Sequence, residues 1–323
     1  MAITNIHDIP LSIAIWLLHD PYDYNPDPNV ISVTGLLKPV KSIILSRRTP
    51  TTPEMDLMDL VPSRTGTALH TAVERAWDSP KFEEGLKKMG YSDDVIQRMV
   101  INPLMLEEGD LPIYMEQRAE AQFGKYKISG KFDFVLDGVI EDFKSTSVWS
   151  WIFQSSVQKF IEQGSIYRYL NQDKITEDYM NITYIFTDWS KSSATQKKEY
   201  PQSRIKQQKL QLMSIQETEQ FIKDKLRIID NLATADQAQL PDCTKEELWQ
   251  SDSVWKYYKD PNKTTRSTKN FDNAAGAYAR LSTDGNVGSV IEVKGQVKAC
   301  GYCNVASICL QREALELAGV LAP

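Results

Sequence analysis

The stretch SGKFDFVLDGVIEDFKSTS, residues 129–147, constrains the fold more than any other. Two apolar-rich runs flank Asp137-Gly138, a dipeptide suited to a two-residue hairpin turn because both positions accept a positive φ. Such a turn fixes the register: Leu136 faces Val139, Val135 faces Ile140, Phe134 faces Glu141 and Asp133 faces Asp142. Directly opposed residues share a face, with Cβ atoms roughly 5 Å apart, so the hairpin sets one carboxylate against another. Two pairs further out Lys131 faces Lys144, and the two-residue period puts Lys144 on the face of Asp142. A sheet tolerates opposed carboxylates where something positive lies between them. Phe132, Phe134 and Phe143 fall on the other face and read as core.

Paired carboxylates with a lysine two positions after the second are the parts needed for metal-dependent phosphodiester hydrolysis. Asp133 and Asp142 would hold Mg²⁺ or Mn²⁺, hard ions that prefer oxygen. The metal lowers the pKa of a bound water and offsets charge on the phosphate. Lys144 would orient the water and stabilise the transition state. An exposed hairpin with scattered charges is the plainer alternative.

The chain has 323 residues, 41% of them hydrophobic, enough for one large domain or two modest ones. Its net charge of −6 shows no global basic surplus, so nucleic-acid binding has to come from a local patch. Candidates are Lys41 with Arg47 and Arg48, Lys191 with Lys197 and Lys198, and the stretch from Lys256 to Arg266. No run is long and apolar enough to span a membrane. No Lys or Arg precedes Lys38, so a signal peptide is not expected, and the expected compartment is the cytoplasm, that of the host if the protein is viral.

Periodicity predicts a short apolar helix from Ser12 to Leu18, a loop in HDPYDYNPDPN, and a strand or helix in KSIILSRR. Helices are expected in TGTALHTAVERAW, over about Pro80 to Met99, and in SSVQKFIEQGSIYRYL. YMEQRAEAQFG and MNITYIFTDW read as strands. Ser214 and Glu217 stand in capping-box spacing at the head of another helix. The tail from Pro241 is loop-rich and holds every cysteine. The expected class is α/β, of the mixed α+β kind. The expected divisions are an N-terminal extension over 1–60, a core over 61–200, and a helix with a cysteine-bearing tail over 201–323, packed on the core.

Around the hairpin three patterns stand in order: Gly66-x-x-x-His70 on a helix, Gly130-x-x-Asp133 with Asp142-x-Lys144, and Gln163-x-x-x-Tyr167 on a helix. Together they resemble the PD-(D/E)XK nuclease superfamily, in particular its RecB-like branch, which includes AddB and the nucleases of CRISPR spacer acquisition. The resemblance covers about residues 60 to 190. It implies a restriction-endonuclease-like core, a central mixed sheet flanked by helices, and an Mg²⁺- or Mn²⁺-dependent deoxyribonuclease. It further implies His70 as a metal ligand, with imidazole favouring Mn²⁺. Gln163 and Tyr167, one turn apart on one helix face, would contact the DNA backbone or orient Lys144. Glu116, sharing a strand face with Glu120, is the candidate further acidic ligand. Glu74, one turn after His70, reads as half of a routine helix pair or as a partner of the ligand. His7 and His19 read as structural.

Cys300-x2-Cys303-x5-Cys309, with Cys243 upstream, is the inventory of one all-cysteine site. Thiolates serve both Zn²⁺ and a [4Fe–4S] cluster. The run resembles the iron–sulfur staple of AddB-like nucleases, with one departure: in those relatives the fourth cysteine precedes the nuclease motifs, whereas Cys243 follows them. The expected cofactor is [4Fe–4S], with Zn²⁺ as the alternative, and its role is to staple the tail. The implied partners are DNA, as double-stranded ends or single strands, and a recombination partner such as a single-strand annealing protein. The overall reading is a phage-type stand-alone exonuclease for recombination, replication or repair. Competing readings are an inactive nuclease fold kept for DNA or protein binding, and a zinc-stapled RNA-processing nuclease.

Overall fold

The structure, a computed structural model, describes residues 3–21, 24–49 and 55–322. Tyr22 and Asp23 of the expected N-terminal loop lie outside the described residues. Helices and mixed sheets make this a mixed α/β chain. No helix among the described residues is long and apolar enough to cross a membrane.

The chain divides into two compact units, Met1–Lys38 with Glu54–Asp230, and Pro39–Pro53 with Asn231–Pro323. These do not follow the expected divisions at 60 and 200. The reason lies in the helix Val40–Arg48, which buries Ile44 and Leu45 against Leu240 and Val305.

In the first unit a six-stranded sheet runs in the order Ile205–Gln211, Tyr179–Phe186, Val139–Thr146, Phe134–Leu136, Leu111–Met115, Met99–Ile101. Asp137 and Gly138 both take positive φ, 46° and 78°, as the two-residue turn requires. The expected pairs form: Phe134 with Glu141, Val135 with Ile140, Leu136 with Val139. Val139–Thr146 then pairs in parallel with Tyr179–Phe186. A parallel pair needs a crossover, and the helix Val157–Leu170 supplies it. Met180, Ile182, Tyr184 and Phe186 are all buried, so this strand turns a continuous apolar face to the core.

The hairpin departs from expectation beyond Phe134. The backbone leaves the ladder at Phe132 and Asp133 and continues as Tyr126–Lys131 in a second sheet, between Val30–Ser32 and Arg118–Phe123. Lys131 therefore faces Arg118 and not Lys144. Asp133 is not a ladder partner of Asp142. The strand expected in YMEQRAEAQFG breaks at the same level, into Leu111–Met115 and Arg118–Phe123, with Glu116 at φ 53°. Two backbone bonds hold the resulting corner, from Glu116 N to Asp133 O at 3.1 Å and from Phe132 N to Gln117 O at 3.3 Å. Phe132 is fully buried there, and its burial offsets the lost ladder. Glu116 and Glu120 consequently do not share a strand face.

One long helix, Leu57–Trp77, opens on Asp56, which accepts from Met58 N at 3.0 Å, while Asp59 accepts from Asp56 N at 3.1 Å. At its other end Trp77 packs on Phe134 with ring centroids 5.3 Å apart, in a cluster with Ile113, Met115 and Phe143. That contact fixes the rotation of the helix and hence where His70, two turns earlier, points. The helix expected over about Pro80 to Met99 is two short ones, Phe82–Lys88 and Asp93–Arg98. The Ser214–Glu217 capping box forms, with bonds of 2.8 and 3.2 Å.

In the second unit the tail is more ordered than expected. Val254–Tyr258 lies between Lys269–Phe271 and Ser289–Val293 in an antiparallel sheet, next to the helix Ala274–Thr283. Cys303 and Cys309 pack on the Ile44 cluster, while Cys243 and Cys300 pack with Leu248, Val297 and Val320.

Candidate metal-binding active site

A cavity of about 410 Å³ in the first unit gathers the expected residues of that unit. Its walls include His70, Glu116, Asp133, Asp142, Lys144, Gln163 and Tyr167. The helix Leu57–Trp77 supplies His70, the strand corner supplies Glu116 and Asp133, the strand Val139–Thr146 supplies Asp142 and Lys144, and the crossover helix supplies Gln163 and Tyr167.

His70, Glu116 and Asp133 each offer a ligand atom within 4.8 Å of the other two, and they form the one such group among the described residues. His70 Nε2 lies 2.9 Å from the Phe143 carbonyl oxygen. A carbonyl can only accept, so Nε2 carries a proton, and Nδ1 faces Asp133, whose Oδ2 is 3.3 Å away and favours a second proton there when no metal is bound. This arrangement, one ring nitrogen anchored to a backbone carbonyl and the other presented to carboxylates, is how a ligating histidine is usually oriented. Without a metal, burial works against the His70 proton, but Asp133, the Phe143 carbonyl and Asp142 outweigh it and raise the pKa.

Asp142 is 4% exposed. Lys144 Nζ lies 2.6 Å from its Oδ2, a close ion pair at this buried oxygen. Burial raises the Asp142 pKa, Asp133 adds to the rise, and Lys144 and His70 oppose it without reversing it. For Lys144 burial lowers the pKa, but Asp142 and Asp133 prevail and raise it. The opposed carboxylates of the sequence reading thus have positive charge beside them already, from Lys144 and a chargeable His70.

The remaining wall positions the groups more than it charges them. Gln163 Nε2 donates to the Tyr167 hydroxyl at 3.1 Å. A Cβ on Gly130 would stand 2.7 Å from Val33 Cγ2 and 2.9 Å from Tyr167 Cε1, so only glycine lets the strand lie against that ring. Lys131 is ion-paired with Glu116. Glu74 also lines the cavity; burial raises its pKa, followed by repulsion from Glu116 and Asp78. It shares the cavity wall with Glu116. Thr67, Thr71 and Ser129 were not singled out in the sequence, yet they line the same wall. The polar stripe Gly66, Thr67, His70, Thr71, Glu74, at helical spacing on an otherwise amphipathic helix, was the signal that could have found the two threonines.

The four cysteines lie apart from this cavity in sequence and in the other unit, all half-buried. Burial pushes the Cys243 thiol up to about 12, with Glu247, Cys309 and Cys303 adding to it. Burial also raises Cys300, again with Cys303 and Cys309. The thiols therefore share one electrostatic neighbourhood, though among the described residues no three sulfurs come within 4.8 Å of one another. Of the basic patches, Lys41 is buried and ion-paired with Asp242, and Arg48 donates to the Ala233 and Leu232 carbonyls at 2.9 and 2.6 Å. Both serve the fold of the second unit.

No family model and no curated protein matches the chain. Among solved structures it is similar to the protein titled "Crystal structure of SSO0001", with 15% identity over 67% of this chain and 81% of that one, at a TM-score of 0.37.

Proposed function

We propose that the chain is an Mg²⁺- or Mn²⁺-dependent nuclease of the PD-(D/E)XK, RecB-like kind, hydrolysing phosphodiester bonds in DNA. The observation that carries this reading is the convergence of His70 Nδ1, Glu116 and Asp133 within 4.8 Å of one another, in a cavity that also holds Asp142 and Lys144. The residues fit a hard divalent cation: three carboxylates and one imidazole, which binds a metal in its neutral form. His70, Glu116, Asp133 and Asp142 would hold the ion. When bound, it acidifies a water and offsets phosphate charge.

The chain's own groups supply the rest. Lys144, kept protonated by Asp142 and Asp133, holds the attacking water and offsets charge developing on the phosphoryl oxygens. The Phe143 carbonyl holds the His70 proton on Nε2 and so keeps Nδ1 as a ligand. Gln163 orients the Tyr167 hydroxyl, and the pair offers donors to the phosphate oxygens of the bound strand.

For the cysteines we favour [4Fe–4S] over Zn²⁺. The Cys300-x2-Cys303-x5-Cys309 spacing with Cys243 upstream supports this, and the thiols share one electrostatic neighbourhood in the second unit, as suits a cluster whose irons each take one thiolate. Processing of DNA ends in phage or mobile-element recombination, beside a single-strand annealing protein, is the matching role.

The test is incubation of end-labelled linear and circular DNA with Mg²⁺, Mn²⁺ or EDTA. Metal-dependent cleavage lost in Asp142→Asn supports the reading. Metal-independent cleavage, or none with either metal while DNA still binds, leaves the inactive binding module as the better account.

A further inference from the structure

A second cavity, of about 330 Å³, adjoins the first and shares Ser32, Thr34 and Ser129 with it. Its character differs. The first is walled by carboxylates, whereas no carboxylate among the described residues lines the second. Lys38 and Arg118 line it together with the hydroxyls of Tyr24, Ser32, Thr34 and Ser129. Arg118 Nη1 donates to the Ser129 hydroxyl at 3.0 Å, and Ser129 is itself 2% exposed, so the guanidinium is anchored by a fixed wall.

The ladder around it sets cation against cation, with the Glu120 carboxylate near enough to Arg118 to feel its charge. Arg118 stands directly opposite Lys131 across the pair of strands, and like charges so placed repel. Lys131 finds Glu116 on the side of the first cavity. Lys159, which lines neither cavity, has its pKa lowered, first by burial and then by Lys144 and Lys38. The chain thus concentrates cations beside an anionic site and leaves a hydroxyl-lined space among them.

We propose that this second cavity is a phosphate subsite, seating a phosphate group of the DNA strand next to the one being cut. The proposal rests on the nuclease reading for the identity of the strand. Arg118 supplies a planar fork for two phosphate oxygens, Lys38 a second positive charge, and the hydroxyls of Ser32 and Thr34 neutral donors.

The experiment measures DNA binding in EDTA, where nothing is cut, as a function of salt. Three labelled single strands are compared: a circle, a linear strand with a 5′-phosphate, and the same strand with a 5′-hydroxyl. Each phosphate contact contributes about 0.7 to the slope of log affinity against log salt. Lys38→Gln with Arg118→Gln should therefore reduce that slope by about 1.4, and Lys38→Arg with Arg118→Lys should restore most of it. A reduction on all three strands assigns a backbone phosphate; a reduction on the 5′-phosphorylated strand alone assigns a terminal one. Lys38→Gln by itself, at an exposed position, covers the case in which Arg118→Gln unfolds. An unchanged slope on every strand in Lys38→Gln and in the folded double variant overturns the subsite. Cleavage with Mn²⁺ is scored separately. A parent that never cuts, while its variants show the expected slope change in binding, removes the nuclease reading alone.

Discussion

Replacing Lys144 with methionine separates its two roles, because it deletes the charge and keeps most of the stem. At 2.6 Å and an effective dielectric constant near 20, the Lys144–Asp142 attraction is of order 6 kcal/mol. Part of that is offset, since the variant no longer desolvates an ammonium. The remaining loss is that of a buried pair broken on one side, about 3–5 kcal/mol. Asp142 is 5% and Lys144 27% exposed as side chains, so solvent screens little of it. At 2–4 °C per kcal/mol for a unit of this size, the metal-free Tm should fall by about 6–20 °C.

The sign with pH follows from Asp142. Its pKa is already raised by burial and by Asp133, and loss of the ammonium raises it further. A protonated Asp142 needs no partner charge, so the loss should be largest in mild base and shrink as the pH falls. Adding Asp142→Asn to Lys144→Met should recover most of the stability, with a coupling energy above about 2 kcal/mol. Mn²⁺ should raise the Tm of Lys144→Met more than that of the parent, since it replaces the missing positive charge. Cleavage should still drop by about two to three orders of magnitude. The assay is urea unfolding in EDTA and in Mn²⁺, beside cleavage of end-labelled DNA. A loss under about 1 kcal/mol in EDTA, or cleavage at the parent rate, refutes the reasoning.

Two further outcomes are expected. The His70 pKa is raised above 6.5, so the stability it contributes without metal is fully present below that value and is lost as the pH rises through the folded one. Metal requires the neutral ring, so the Mn²⁺-induced rise in Tm should grow from about pH 6 to about pH 8 and lose that growth in His70→Gln; an equal rise at both pH values in the parent refutes ligation by His70. Protein purified without oxygen should be brown, absorb near roughly 400 nm and carry about four irons per chain. Cys303→Ser should lose the colour and part of the stability of the second unit, whereas a colourless parent holding one zinc decides against the cluster.

What was legible in the sequence was local. Asp137-Gly138 fixed three strand pairs because both turn residues need a positive φ and because period two leaves no freedom after that. Ser214 with Glu217 marked a helix start for the same kind of reason, two side chains answering two backbone groups three residues apart. The division into units was not legible. Ile44 and Leu45 find Leu240 and Val305 roughly two hundred and two hundred and sixty residues later, and no periodicity within KSIILSRR says so. The break between Phe82–Lys88 and Asp93–Arg98 had its signals in place, with Gly90 at φ 91° and Ser92 accepting from Val95 N. The apolar spacing over Pro80 to Met99 hid them.

The site was legible as a set of residues and illegible as a geometry, and the corner is the reason. Had the ladder run on from Phe134, Asp133 would face Asp142 squarely, Lys131 would crowd Lys144, and Glu116 would lie on a strand with no route to either carboxylate. Instead both chains leave the ladder at one level. Glu116 accepts a left-handed φ of 53°, a conformation that costs a non-glycine residue of order 1 kcal/mol. In return its backbone N–H reaches the Asp133 carbonyl, and its carboxylate comes within 4.8 Å of Asp133 and His70. Asp133, freed from its ladder position, also accepts from Phe143 N at 3.4 Å, and the Phe143 carbonyl in turn anchors His70. One residue of the second hairpin strand thereby ties the corner to the helix. Alternation along a strand carries no trace of such a break, because every residue involved keeps the polarity that an unbroken strand would show.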